Sequence, residues 1–111
     1  MKLFAVFLGG RAEKCNIELH DVVFTCADEI TECYDDLLDK WFGDTKRLHI
    51  DSWVELKYID GYEINLKNFE NDKINKKQIA NRTKHKKNLW FVNIGGYNPT
   101  SMKEKHEFGL V

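Results

Sequence analysis

Short apolar runs alternate with polar stretches along most of this chain, and only one segment carries a helical period. The first run, Leu3–Leu8, is continuous and ends at Gly9-Gly10, which predicts a buried strand stopped by a turn. Arg11–Leu19 is polar and reads as loop, and Asp21–Cys26 is rich in β-formers and reads as a second strand. From Asp28 to Phe42 the apolar residues Ile30, Cys33, Tyr34, Leu37, Leu38, Trp41 and Phe42 recur at three- and four-residue spacing, the mark of an amphipathic helix. Asp28 and Glu29 suit its positive end, and Gly43 suits its stop. Glu32, Asp35, Asp36 and Asp39 fall on the opposite side and read as a solvated face.

Two β-rich runs follow, Leu48–Ile59 and Tyr62–Lys67, joined by Asp60-Gly61. That pair predicts a hairpin, because a type I′ turn needs positive φ at both central residues. Asn68–Lys87 is polar, and its part Lys73–Lys87 holds seven Lys/Arg and no acid, so a mobile loop is expected there. Asn88–Ile94 reads as a buried strand ending in Gly95-Gly96, Tyr97–Lys105 as a second polar loop, and His106–Val111 as a last strand.

Residues 3–24 and 89–110 align without a gap at an offset of 86. Leu3 matches Leu89, Val6 matches Val92, Gly9-Gly10 matches Gly95-Gly96, Glu18 matches Glu104 and His20 matches His106. A sequence repeat of this length implies a repeated structural unit, here a strand–loop–strand. It also argues against a signal peptide at Leu3–Leu8, since the same pattern recurs in mid-chain and no A-x-A site follows.

Several of these segments carry a family resemblance. Lys-Leu-Phe-Ala-Val-Phe-Leu-Gly-Gly-Arg-Ala (2–12), Asn-Ile-Glu-Leu-His-Asp-Val-Val-Phe (16–24), Lys-Trp-Phe-Gly (40–43), Leu-His-Ile-Asp-Ser-Trp (48–53), Asp-Gly-Tyr (60–62) and Phe-Val-Asn-Ile-Gly-Gly-Tyr (91–97) are the stretches concerned. Together they resemble the bacterial family known as domain of unknown function 1543. The resemblance implies a fold unit present once or twice per chain. It implies no activity and no site residue.

Composition fits a globular domain, with 42% hydrophobic and 32% charged residues in 111. The net charge of −1 gives no global attraction to nucleic acid or membrane, and no apolar run is long enough to span a bilayer. The charge is unevenly placed: residues 1–66 hold 7 Lys/Arg against 14 Asp/Glu, and residues 67–111 hold 10 against 4. That asymmetry suits a protein partner or self-assembly. Cys15, Cys26 and Cys33 are odd in number and form no CxxC pair, which points to free thiols and a cytoplasmic setting.

The candidate chemistry lies in the histidines and their acids. Glu18 and His20, and again Glu104 and His106, form Glu-x-His pairs at strand entrances. A carboxylate beside an imidazole orients it and raises its pKa, which serves acid–base work or metal binding, and a structural hydrogen bond equally well. His49-x-Asp51 adds a second imidazole and a carboxylate, so His20, His49, Asp51 and His106 are the candidate metal ligands. Their spacing matches no familiar zinc or iron motif. Gly9-Gly10 and Gly95-Gly96 lack the G-x-G-x-x-G spacing of a dinucleotide site, and no other motif calls for a cofactor. Trp53, Tyr58, Tyr62, Trp90 and Tyr97 read as packing residues, and with no RRM, KH or OB signature nucleic acid is not an expected partner.

The expected fold is α+β over residues 1–111: a mixed, largely antiparallel sheet of five or six strands under one main amphipathic helix, a variant of the ferredoxin-like arrangement being compatible. The favoured function is a non-enzymatic binding or self-assembly module. The alternative is a small enzyme or metal-binding protein using the Glu-x-His pairs with His49 and Asp51. Convergence of those side chains in one cleft separates the two. The repeated strand pairs leave a sheet edge to cover, so a homodimer is expected, and light scattering at high micromolar concentration should show twice the chain mass. A monomer there rules it out.

Overall fold

The structure, a computed structural model, describes residues 1–68, 87–97, 100–101 and 104–111, with Tyr97, Glu104 and Lys105 described as backbone. All but the last residue of the expected loop Lys73–Lys87 lies outside the described residues. The chain divides into two compact units, Met1–Tyr58 with Glu63–Leu66, and Ile59–Tyr62 with Lys67–Val111.

The first unit is built on β1 (Lys2–Arg11), β2 (Leu19–Ala27), a 3-10 turn (Ile30–Glu32), α1 (Tyr34–Lys40) and β3 (Asp44–Glu55). Its sheet has the order β2-β1-β3, and β1 runs antiparallel to both neighbours. Strands β2 and β3 are therefore parallel to each other and joined across β1 by the helix. Alternation along the strands separates two faces. Phe4, Val6 and Leu8 of β1 point to the helix side and form the core with Ala27, Cys33, Leu37, Trp41 and Leu48. Thr25, also buried, donates its hydroxyl to Asp36 Oδ2 at 2.6 Å, which ties the helix to β2. Lys40 Nζ binds the same carboxylate oxygen and the Phe24 carbonyl, each at 2.6 Å. Lys40 and then Thr25 hold the Asp36 carboxyl below its ordinary pKa.

Several expectations need correction. Gly9 and Gly10 do not stop β1 but lie inside it, and neither has a positive φ. They are glycines for room. A Cβ on Gly10 would lie 2.8 Å from Trp41 Cζ2, so the buried indole packs flat against bare backbone. The helix is shorter than Asp28–Phe42, because a 3-10 turn precedes it and Trp41 leaves it in an extended conformation. Tyr34 and Phe42 are consequently exposed, while Cys33, Leu37 and Trp41 are buried. Strand β3 starts at Asp44, within the polar stretch before Leu48, because Asp44 pairs with Arg11.

A short hairpin, β4 (Tyr58–Ile59) with β5 (Tyr62–Glu63), turns at Asp60-Gly61, whose φ values of 52° and 83° meet the type I′ requirement. The second unit contains β6 (Phe91–Tyr97) antiparallel to β7 (Glu104–Leu110). There Gly95 stands opposite His106, as Gly9 stands opposite His20 in β1–β2, and Ile94 opposite Glu107, as Leu8 opposite Asp21. Gly95-Gly96 also lies inside its strand rather than ending it. The described strands thus form sheets of three, two and two strands instead of one sheet of five or six. Hydrophobic pattern fixes which face of a strand is buried, but not which edges meet across long stretches of chain. The α+β class and the antiparallel pairing stand.

Among the described residues no helix is long and apolar enough to cross a membrane. Leu37→Ala should lower stability by about 2–5 kcal/mol, the range for emptying a buried leucine site. Gly10→Ala should cost about 1–3 kcal/mol through overpacking against Trp41. Urea unfolding of each variant checks both values.

Candidate functional site

Position 9 of the central strand has no side chain, and its two neighbours across the sheet are both histidines: His20 on β2 and His49 on β3. The bare backbone at Gly9 lets their rings and two carboxylates converge over it. A Cβ there would lie 2.6 Å from His49 Nε2 and 2.8 Å from both Asp51 Oδ2 and Glu18 Oε1. Glu18 comes from the residue just before β2. Asp51 is delivered by a β-bulge: Leu8 pairs with Ile50 and Phe7 with Ser52, so Asp51 is the extra residue between them. Bulges re-aim side chains, and this one places a carboxylate beside both imidazoles.

The distances define one cluster. His49 Nε2 is 2.7 Å from Glu18 Oε1 and 3.1 Å from Asp51 Oδ1. His20 Nε2 is 3.1 Å from Asp51 Oδ2 and 3.9 Å from Glu18 Oε1. All four side chains lie on the face away from the helix and are 31–49% exposed. The His20 ring is stacked on Phe7, with centroids 5.1 Å apart and planes 9° from parallel. A histidine this exposed is not a buried polar group at a strand entrance, so the simple structural account of His20 is weakened.

The protons on His49 follow from its partners. Its Nδ1 lies 3.1 Å from the Arg47 carbonyl oxygen, which only accepts, so Nδ1 carries a hydrogen. That leaves Nε2 as the variable position, aimed at two carboxylates. The Arg47 carbonyl raises the His49 pKa above its ordinary 6.5; desolvation, the next largest effect, opposes it, and the charges of Asp51 and Glu18 and a hydrogen bond to Glu18 add smaller upward pushes. The ring therefore binds its second proton more readily in the fold than in the unfolded chain. The resulting stabilisation is complete below the ordinary histidine pKa and is lost as pH rises through the folded-state value.

Three of the four groups have the geometry of a metal centre, with His49 bonded to both carboxylates beside them. The ligand atoms of Glu18, His20 and Asp51 all lie within 4.8 Å of one another. Donors about 2.0–2.2 Å from one ion stand roughly 3.3 Å apart in a tetrahedron, a value inside the observed spread. The Nδ1–H bond to a backbone carbonyl is the usual way a protein fixes a ligating imidazole with Nε2 facing the ion.

Of the residues singled out in the sequence, Glu18, His20, His49 and Asp51 meet. His106 stands over its own glycine in the second unit, where its ring comes within 2.7 Å of a Cβ built on Gly95. The Glu104 side chain is outside the described residues. Gly9 was missed as a site residue. Its signal was present: a glycine inside a strand marks close approach by other groups.

The first unit is thus a small β-β-α-β domain with a histidine–carboxylate cluster on its open sheet face. Residues 15–66, which include all four cluster side chains, match the family described as Domain of Unknown Function (DUF1543). The chain is also similar to a solved protein, "Crystal structure of a protein Il1583 from Idiomarina loihiensis", at 28% identity and a TM-score of 0.63 over 99% of its length. It spans 62% of that protein. No curated protein matches it.

In an NMR titration of the metal-free protein, His49 should titrate above the ordinary histidine value, and Glu18→Gln should bring its midpoint down. A His49 midpoint at the ordinary value in the parent contradicts the geometry described.

Proposed function

We propose that this protein is a metal-binding domain whose ion is held by Glu18, His20, His49 and Asp51. One observation carries it: the carboxylates of Glu18 and Asp51 each have an oxygen within 3.9 Å of each imidazole Nε2 atom, although the four residues come from three separate places in the chain. Two imidazoles with two carboxylates suit a divalent first-row transition ion such as Zn²⁺, Fe²⁺ or Mn²⁺. The convergence moves the preference from an assembly module to a metal centre, since clustering in one place is what separates the two.

The chemistry also sets a pH dependence. An ion on His49 Nε2 must displace the second proton that Glu18 and Asp51 favour there, so uptake releases protons and tightens as pH rises. The exposure of all four side chains leaves the ion within reach of solvent.

Calorimetric titration of chelator-treated protein with Zn²⁺ or Mn²⁺ tests this. One ion should bind per cluster, more tightly at pH 8 than at pH 6. A hundredfold excess of free ion over Kd should raise stability by about 2.7 kcal/mol. His20→Ala and His49→Ala should each weaken uptake by roughly 100-fold or more, beyond the usual effect of losing an outer-sphere partner. His106→Ala should leave it unchanged. Uptake that survives in the His20→Ala/His49→Ala double variant places the ion elsewhere and sinks the proposal.

A further inference from the structure

We infer that this ion takes a further ligand beyond its four protein donors, as five- or six-coordinate ions do, and that this ligand is the oxygen head group of a small neutral or monoanionic compound with an apolar body, of which a medium-chain carboxylate is the simplest example. This rests on the metal reading above and names the ligand class of the same site.

Access comes first. The four ligating side chains lie on the sheet face opposite the helix, and none is less than 31% exposed, so the ion is reached from above that face. Charge comes second. Glu18 and Asp51 already balance a divalent cation, and two ligating imidazoles are neutral. A further dianion such as phosphate would add charge to a neutral centre beside two carboxylates, whereas a neutral or singly charged oxygen donor adds little.

The surface next to the cluster supplies the third argument. Moving along the sheet from Gly9 on the same face, the next rung is Phe7 opposite Val22 and Ser52. The rung after that is Ala5 opposite Phe24 and Val54. Five of these six side chains are apolar, and the sheet gives them no charged neighbour within those rungs. The Phe7 ring already lies parallel to the imidazole of His20, so the apolar surface begins at the metal ligand itself. Val54 is 53% exposed at the outer end. Two rungs on one face extend roughly 13 Å, room for a medium-length alkyl chain lying along the sheet. A head group on the ion and a tail over Phe7, Val22 and Val54 satisfies both halves of such a molecule at once.

The experiment uses the Zn²⁺-loaded full chain, with acetate, octanoate and inorganic phosphate as probes in calorimetry. Octanoate should bind roughly tenfold or more tighter than acetate, since its extra methylenes leave water, and phosphate should bind no better than acetate. Val54→Asn, at an exposed position, should reduce the octanoate advantage severalfold. Val22→Ser with Val54→Asn should bring it close to the acetate value, with zinc affinity measured separately and unchanged. Equal binding of acetate and octanoate by the parent protein, or an advantage undiminished in the double variant, overturns the ligand assignment alone. Failure of the parent to take up zinc overturns the metal reading and this assignment with it.

Discussion

Two adjacent glycines in the central strand set what the first unit can be. Successive side chains of a strand point to opposite faces, so Gly9 and Gly10 remove one from each side of the sheet at the same level. On the helix side the gap at Gly10 is filled by the buried Trp41 indole. On the open side the gap at Gly9 is filled by His49, Asp51 and Glu18. Any side chain at either position would collide within 3 Å of these groups. The core and the cluster are therefore coupled through one stretch of backbone: the helix is seated on one side of the same strand that makes room for the polar groups on the other.

That coupling explains a polar cluster in a small sheet. The face toward the helix is closed by Phe4, Val6, Leu8, Leu37 and Leu48, and carries the stability. The opposite face carries imidazoles and carboxylates in solvent, where their charges cost little to maintain. The bulge at Asp51 adds the second carboxylate and shifts the register by one residue, while Ile50 stays opposite Leu8 and Trp53 opposite Val6. The Arg47 carbonyl fixes the orientation of the His49 ring, with Nε2 turned to the two carboxylates.

The second unit carries part of the same arrangement. In β6–β7, Gly95 faces His106 across the ladder, in the register that puts Gly9 opposite His20. The sequence places Glu104 two residues before His106, as Glu18 stands before His20. Among the described residues β6 has β7 as its partner and no strand with a His-x-Asp pair beside it, whereas β1 lies between β2 and β3. The strand carrying His49 and Asp51 makes the difference.

The sequence by itself determined the local elements and the residue types of the site. Apolar runs marked β1 and β2, the four-residue spacing of Cys33, Leu37 and Trp41 marked the buried side of the helix, and Asp60-Gly61 marked the turn between β4 and β5. These signals are local, set by side-chain alternation, helical period and allowed φ. Glu18, His20, His49 and Asp51 were legible as candidates for the same reason. Which of them meet was not legible, because His20 and His49 lie on strands separated by the helix and are brought together only through their common neighbour Gly9 on β1. The separation into sheets of three, two and two strands, the continuation of β1 through Gly9-Gly10, and the bulge that aims Asp51 were likewise decided by tertiary structure. Strand pairing joins distant edges, and a strand's own pattern records which face it buries but not which strand lies beside it.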